Sequence, residues 1–171
     1  MRVTSEQEAL YIACAMESSA VQLYGRAMQV LEAQGRQEEA VYRSIAAMRL
    51  EEMSHLQRFR SLYTGLSTEA EQQLMLDAVA DGILFEGGLM GAARAGLLKD
   101  VDSMLRYAAQ CEATSVEKYR LFADNASDEA RQALLEIAAE EERHLAELTE
   151  QQEIYQYWLE MVKTLKNSCE I

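Results

Sequence analysis

The sequence predicts an all-α fold, a bundle of four long helices with a long crossover between the second and the third. Proline is absent and glycine occurs only 8 times in 171 residues, a composition typical of helical proteins. Apolar residues recur at intervals of three and four over four long segments, which indicates one buried face on each helix. The segment 65–99 separates the second helix from the third, and a connection of that length can carry the chain back along a bundle.

Length and charge narrow the class of protein. We expect a single domain over 1–171, long enough to bury a substantial core. The net charge of −13 argues against nucleic acids and anionic membranes as partners. The first residues lack the layout of a secretory signal, and Cys14, Cys111 and Cys169 form no Cys-x-x-Cys pair. We therefore expect a cytoplasmic protein without a four-cysteine metal site.

The first helix is predicted to begin at Thr4 or Ser5, because Ser5 and Glu8 have the spacing of a capping box, and to end before Gly35. Its apolar stripe consists of Leu10, Cys14, Glu17, Val21, Tyr24, Met28 and Leu31. Glu17 therefore occupies a core position.

The second helix is predicted over about 36–64, before Gly65. Its stripe consists of Val41, Ile45, Met48, Glu52, His55, Phe59 and Leu62. Glu52 and His55 thus lie on the buried face, whereas the adjacent Glu51 is turned about 100° away from it.

The crossover 65–99 is predicted to contain one short helix. Thr68 and Glu71 have capping-box spacing, and the helix should extend to about Ala80. The apolar, glycine-rich stretch 82–98 is too short and too interrupted by charges to span a membrane. We expect it to pack on the bundle.

The third helix is predicted over about 100–125, and the fourth from behind Ser127 to about Lys166. The stripe of the third helix consists of Val101, Leu105, Ala108, Glu112, Ser115, Tyr119 and Phe122. That of the fourth consists of Ala130, Leu134, Ile137, Glu141, His144, Leu148, Tyr155, Trp158 and Val162. Again, one glutamate stands on the first helix of the pair and a glutamate with a histidine on the second.

The two halves therefore carry the same motif, a glutamate followed by Glu-x-x-His on the next helix. Residues three apart share a helix face. Glu17 and Glu52 lie at nearly equal distances from the turn at Gly35, and Glu112 and Glu141 at nearly equal distances from the turn after them. Antiparallel pairing would bring four carboxylates and two imidazoles to one level of the core, the ligand set of a two-metal carboxylate site.

Burial of four carboxylates requires compensation. Nearby basic residues fall off the apolar stripes, whereas two divalent cations would balance the charge. Carboxylate-rich ligation favours two Fe or Mn ions over structural zinc. By analogy with such sites, Glu52 and Glu141 would bridge the metals and Glu17 and Glu112 would be terminal, with one histidine on each metal. A buried Glu/His network without metal remains the alternative.

Without metal, desolvation and mutual repulsion should raise the pKa of all four glutamates. Tyr24 and Tyr119, the candidate catalytic residues, follow Glu17 and Glu112 on the same stripes. Each could orient the glutamate of the opposing helix through a hydrogen bond, or simply fill the core.

These motifs resemble the rubrerythrin-like branch of the ferritin-like superfamily over essentially the whole chain. The matching elements are Glu17-x6-Tyr24, Glu52-Met53-Ser54-His55, Glu112-x6-Tyr119 and Glu141-Glu142-Arg143-His144. Two departures are visible: the chain has no rubredoxin module, and Ser115 stands where rubrerythrins carry an additional glutamate. The site is thereby closer to the six-ligand bacterioferritin type.

The resemblance implies a di-iron oxidoreductase that oxidises Fe²⁺ with O₂ or H₂O₂, in iron handling or peroxide detoxification, with an electron donor that the sequence does not identify. The alternatives are a di-iron hydroxylase of a quinone-like substrate, which would need an apolar channel to the metals, and a metal-binding protein without catalysis. The last helix extends well beyond His144 and carries Tyr155, Tyr157 and Trp158. We therefore expect a homodimer or larger assembly.

Overall fold

The computed structural model describes residues 2–168, and Cys169 lies outside this range. Helices and turns account for the described chain, in which no strand occurs, so the predicted all-α class is confirmed. The helices are α1 Glu6–Ala33, α2 Ala40–Leu62, α3 Thr68–Ala80, α4 Gly88–Arg94, α5 Val101–Ala123 and α6 Asp128–Ser168. None of the helices in the described part combines the length and hydropathy that crossing a lipid bilayer requires.

Helix capping explains where the helices begin. The Ser5 side chain accepts from the backbone N–H of Glu8, while the Glu8 carboxylate accepts from the backbone N–H of Thr4 at 2.6 Å. In the crossover the capping residue is Ser67, one position before the predicted Thr68, because its hydroxyl accepts from the N–H of Ala70. Such caps satisfy N–H groups that have no partner inside the helix.

The helix α4 was not predicted, because glycine has a low helix propensity. Gly87 precedes α4 with φ of 74°, a left-handed conformation that glycine adopts at little cost. A Cβ atom on Gly91 would lie 1.8 Å from the carbonyl oxygen of Glu86. The glycines of this stretch therefore permit a tight fold of the chain that larger residues would block.

The four long helices pack as two pairs. Short turns join α1 to α2 and α5 to α6, and each pair packs along its length, so both pairs are antiparallel. Between the pairs, α1 contacts α5 and α2 contacts α6. Tyr24 bonds to Glu112 and Tyr119 bonds to Glu17, which makes α1 and α5 antiparallel. It follows that α2 and α5 run in the same direction, and that the connection between them travels back along the helices.

The core consists of two apolar clusters with a polar layer between them. One cluster contains Leu10, Phe59, Tyr119, Leu134 and Ile137. The other contains Leu31, Ile45, Met48, Leu105 and Leu148. On every long helix the candidate ligands lie between the residues of these two clusters, so apolar packing on both sides fixes their height.

Candidate metal centre

The polar layer contains all six candidate ligands predicted from the sequence. Each is buried: the exposed fraction is 1% for Glu17, Glu52 and Glu141, 2% for Glu112 and His144, and 4% for His55. One glutamate each comes from α1 and α5, and a Glu-x-x-His pair each from α2 and α6. Ionisable groups at this depth require a charge partner or a proton.

The six residues form two overlapping groups that could each hold a metal ion. The first group is Glu17, Glu52, His55 and Glu141, and the second is Glu52, Glu112, Glu141 and His144. Within each group the potential ligand atoms lie within 4.8 Å of one another. Glu52 and Glu141 belong to both groups, which is the arrangement that two bridging carboxylates require.

Both imidazoles direct Nδ1 toward the carboxylates. The Nδ1 of His55 lies 3.0 Å from Oε1 of Glu141 and 3.7 Å from the nearest oxygens of Glu17 and Glu52. The Nδ1 of His144 lies 2.8 Å from Oε2 of Glu141 and 3.0 Å from Oε1 of Glu52. The two rings stack with centroids 6.0 Å apart, so each half of the chain contributes one imidazole to the same layer.

The opposite ring nitrogens contact two glutamates that sequence reasoning missed. The Nε2 of His55 lies 2.6 Å from Glu140, and the Nε2 of His144 lies 2.9 Å from Glu51. Both carboxylates are partly exposed, with side-chain fractions of 41% and 42%. Glu51 is turned away from the core as predicted, yet its side chain is long enough to reach across to the other helix. The signal in the sequence is a glutamate directly before each Glu-x-x-His motif.

The two candidate catalytic tyrosines form hydrogen bonds across the interface of α1 and α5. Tyr24 donates to Oε1 of Glu112, and Tyr119 donates to Oε1 of Glu17 at 2.6 Å. Both rings are buried. Burial and the nearby carboxylates raise the pKa of each hydroxyl well above its ordinary value, which keeps the hydroxyl protonated and able to donate. Of the two roles considered from the sequence, these contacts favour orientation of the glutamates over simple core filling.

Within residues 2–168, four buried atoms of the cluster have no hydrogen-bond partner: Glu17 Oε2, Glu52 Oε1, Glu141 Oε1 and His55 Nδ1. Two of them, Nδ1 of His55 and Oε1 of Glu141, lie 3.0 Å apart but do not have the geometry of a hydrogen bond. An unpartnered buried polar atom costs about 1–3 kcal/mol, so this concentration of them demands a function. Carboxylate oxygens with one imidazole nitrogen per group form a donor set that suits Fe²⁺ and Mn²⁺. The residues therefore fit a pair of such ions.

The expectation that all four glutamates have raised pKa values is wrong for Glu52. Burial raises the pKa of Glu17 and Glu112. Burial also acts on Glu52, but the nearby imidazoles of His144 and His55 outweigh it and lower its pKa to about 2. Desolvation opposes the charged imidazole of His144, yet its carboxylate partners raise its pKa to about 11. The protonated histidines thus supply positive charge inside the cluster.

No protein-family model, no curated protein and no solved structure matches this chain.

Proposed function

We propose that this chain is a ferritin-like two-metal carboxylate protein that oxidises Fe²⁺ with O₂ or H₂O₂. The observation that carries the proposal is the pair of overlapping four-residue groups that share Glu52 and Glu141. The parallel course of α2 and α5 supports a ferritin-like topology, in which one long connection traverses a four-helix bundle. Iron handling or peroxide removal would be the physiological purpose.

Charge balance supports two divalent ions in this site. Four ionised carboxylates carry four negative charges, and two neutral imidazoles carry none. Two divalent cations would offset these charges, so the loaded site would be neutral. His55 and Glu17 would complete one metal position, and His144 and Glu112 the other. Mn²⁺ would satisfy the same ligand set, and metal analysis of the purified protein distinguishes the two.

Two ferrous ions would supply two electrons, which together with two protons reduce H₂O₂ to two water molecules or O₂ to H₂O₂. The protein groups hold the ligands in place for this reaction. Glu140 and Glu51 accept from Nε2–H of the two histidines, which fixes the tautomer and leaves the Nδ1 lone pair directed inward. Tyr119 and Tyr24 restrain the two terminal carboxylates in the same manner.

Oxidation of an organic substrate is the second candidate function. One observation favours it: Glu112 forms part of the wall of an apolar cavity beside the cluster. A hydroxylase of this class needs such a route for its substrate to the metal. The organic product of the turnover would distinguish it from a protein that oxidises only iron.

The deciding experiment is anaerobic loading with Fe²⁺ followed by rapid mixing with O₂ or H₂O₂. We expect two irons per chain by elemental analysis and a near-ultraviolet ferric absorption band that develops as the oxidant is consumed. The double variant Glu52→Gln/Glu141→Gln should lose both signals. The matched control Glu38→Gln/Glu150→Gln changes two exposed glutamates and should retain them. Two bound irons without consumption of oxidant would indicate metal binding without catalysis, and no bound metal would refute the proposal.

A further inference from the structure

An apolar cavity of about 260 Å³ lies between α1, α5 and the crossover. Ala20 contributes from α1, Met75 from α3, Phe85 from the segment before α4, and Tyr107 from α5. Glu112, a candidate metal ligand, closes the cavity on the side of the cluster. The cavity therefore lies between the crossover, which contributes none of the candidate metal ligands, and the edge of the candidate metal site.

We propose that this cavity binds a small neutral aromatic molecule that carries one hydroxyl group. Its volume sets the size: an engineered cavity of about 150 Å³ holds benzene, so a volume of 260 Å³ corresponds to roughly ten non-hydrogen atoms. None of the described residues that line it is basic. An anionic ligand would lose its hydration in this cavity without a cation to balance it.

The wall is suited to an aromatic ring. Phe85 and Tyr107 stand edge to face at an interplanar angle of 87°, with ring centroids 6.0 Å apart. The thioethers of Met16 and Met75 line the same cavity. Sulfur packs favourably against aromatic rings, and aromatic pairs prefer such edge contacts.

Ser115 lines the cavity beside Glu112. It follows Glu112 by one helical turn, and 9% of its surface is exposed. No hydrogen bond joins its hydroxyl to another residue within the described chain. A hydroxyl without a partner in the protein can bond to a ligand, and a ligand hydroxyl beside Glu112 would supply that partner. The ligand would then lie against Glu112, next to the proposed metal position of His144.

Ligand binding at this place goes beyond the proposed oxidation of iron and does not require metal. Calorimetric titration of the purified full-length, metal-free protein with 2-naphthol, naphthalene and 2-naphthoate tests it directly. We expect 2-naphthol to bind once per chain and 2-naphthoate at least about tenfold more weakly. The variant Ser115→Ala should weaken 2-naphthol roughly three- to tenfold, since one hydrogen bond is lost, and leave naphthalene unchanged. Its control, Ser61→Ala, alters an exposed serine and should have no effect.

A second variant, Ala20→Phe, fills the cavity and should abolish binding of both uncharged probes. Its control is Ala47→Phe at an exposed site of α2, and circular dichroism establishes that each variant is folded. The proposal is overturned if wild-type protein binds no 2-naphthol, or if a folded Ala20→Phe variant binds it as wild type does. Equal effects of Ser115→Ala on 2-naphthol and naphthalene would overturn the assigned orientation. None of these outcomes bears on iron loading, so the two proposals stand or fall separately.

Discussion

Raising the pH from 7 to 9 should destabilise the metal-free protein and leave the metal-loaded protein unaffected or more stable. In the folded state, carboxylate partners raise the pKa of His144 to about 11, from an ordinary value of 6.5. The folded protein therefore keeps a proton that the unfolded chain releases. This stabilisation is fully present below the unfolded pKa and is lost as the pH rises through the folded one.

The magnitude follows from the proton balance. Each pH unit within this interval costs about 1.4 kcal/mol for one proton, so His144 alone accounts for about 2–3 kcal/mol between pH 7 and pH 9. For a chain of this size that corresponds to a fall in Tm of roughly 5–10 °C. The raised pKa values of His55, Glu17 and Glu112 act in the same direction. The lowered pKa of Glu52 has the opposite sign, but its contribution is lost only as the pH falls through about 2.

Bound metal should reverse the dependence. Metal ligation requires deprotonated carboxylates and a free Nδ1 lone pair, so binding releases protons and strengthens as the pH rises. Thermal melts at pH 7, 8 and 9 of metal-free and loaded protein provide the comparison. The metal-free double variant Glu52→Gln/Glu141→Gln should show a flatter dependence, because the imidazoles lose their anionic partners, whereas Glu38→Gln/Glu150→Gln should behave as wild type. If metal-free and loaded proteins lose stability equally, the six groups do not form one coupled buried cluster and the reasoning fails.

Three further predictions concern the metal ligands, the glutamate beside His55 and the oligomeric state. Glu17→Gln should reduce the metal content to about one ion per chain by elemental analysis, because Glu17 belongs to one candidate group. Glu52→Gln should remove both ions, because Glu52 belongs to both groups. Equal losses in the two variants would argue against Glu52 as a ligand shared by two metals. Glu140→Ala should lower Fe²⁺ affinity roughly 10–100-fold, because it orients a ligand histidine. Its neighbour variant Glu142→Ala should not, and a similar affinity for both would exclude the orienting role. Light scattering should give the mass of a dimer or larger assembly. Trp158 and its neighbours on α6 leave apolar surface exposed, with 54% of Trp158 accessible. A monomeric mass at tens of micromolar would contradict this prediction.

The buried side of each long helix was predictable because helical periodicity alone determines it. A step of three or four residues returns to the same face, so Glu17, Glu52, Glu112 and Glu141 could be assigned to the core without knowledge of their neighbours. Their common height followed from the positions of the two turns. Both inferences depend on distances along the chain, which the sequence contains.

Other features depend on distances between helices, which the sequence does not contain. Glu51 is turned out of the core as predicted, but whether its flexible carboxylate reaches an imidazole on another helix depends on how closely the helices approach. The pKa of Glu52 depends in part on His144 of α6, which only the packing of α6 against α2 brings within reach. The short helix α4 depends on close packing around Gly91, which overrides the low helix propensity of its glycines.

The protonation of the cluster explains how this fold can hold these buried groups without metal. Burial favours protonated Glu17 and Glu112, while the carboxylates favour protonated His55 and His144. With these four protons in place, the imidazolium charges lie beside the carboxylate of Glu52, whose pKa is lowered. Two divalent ions would replace four protons, so the net charge of the buried layer would be the same in both states. A core that exchanges protons for metal at constant charge avoids the desolvation penalty of an unbalanced site, and this makes reversible loading compatible with a well-packed four-helix core.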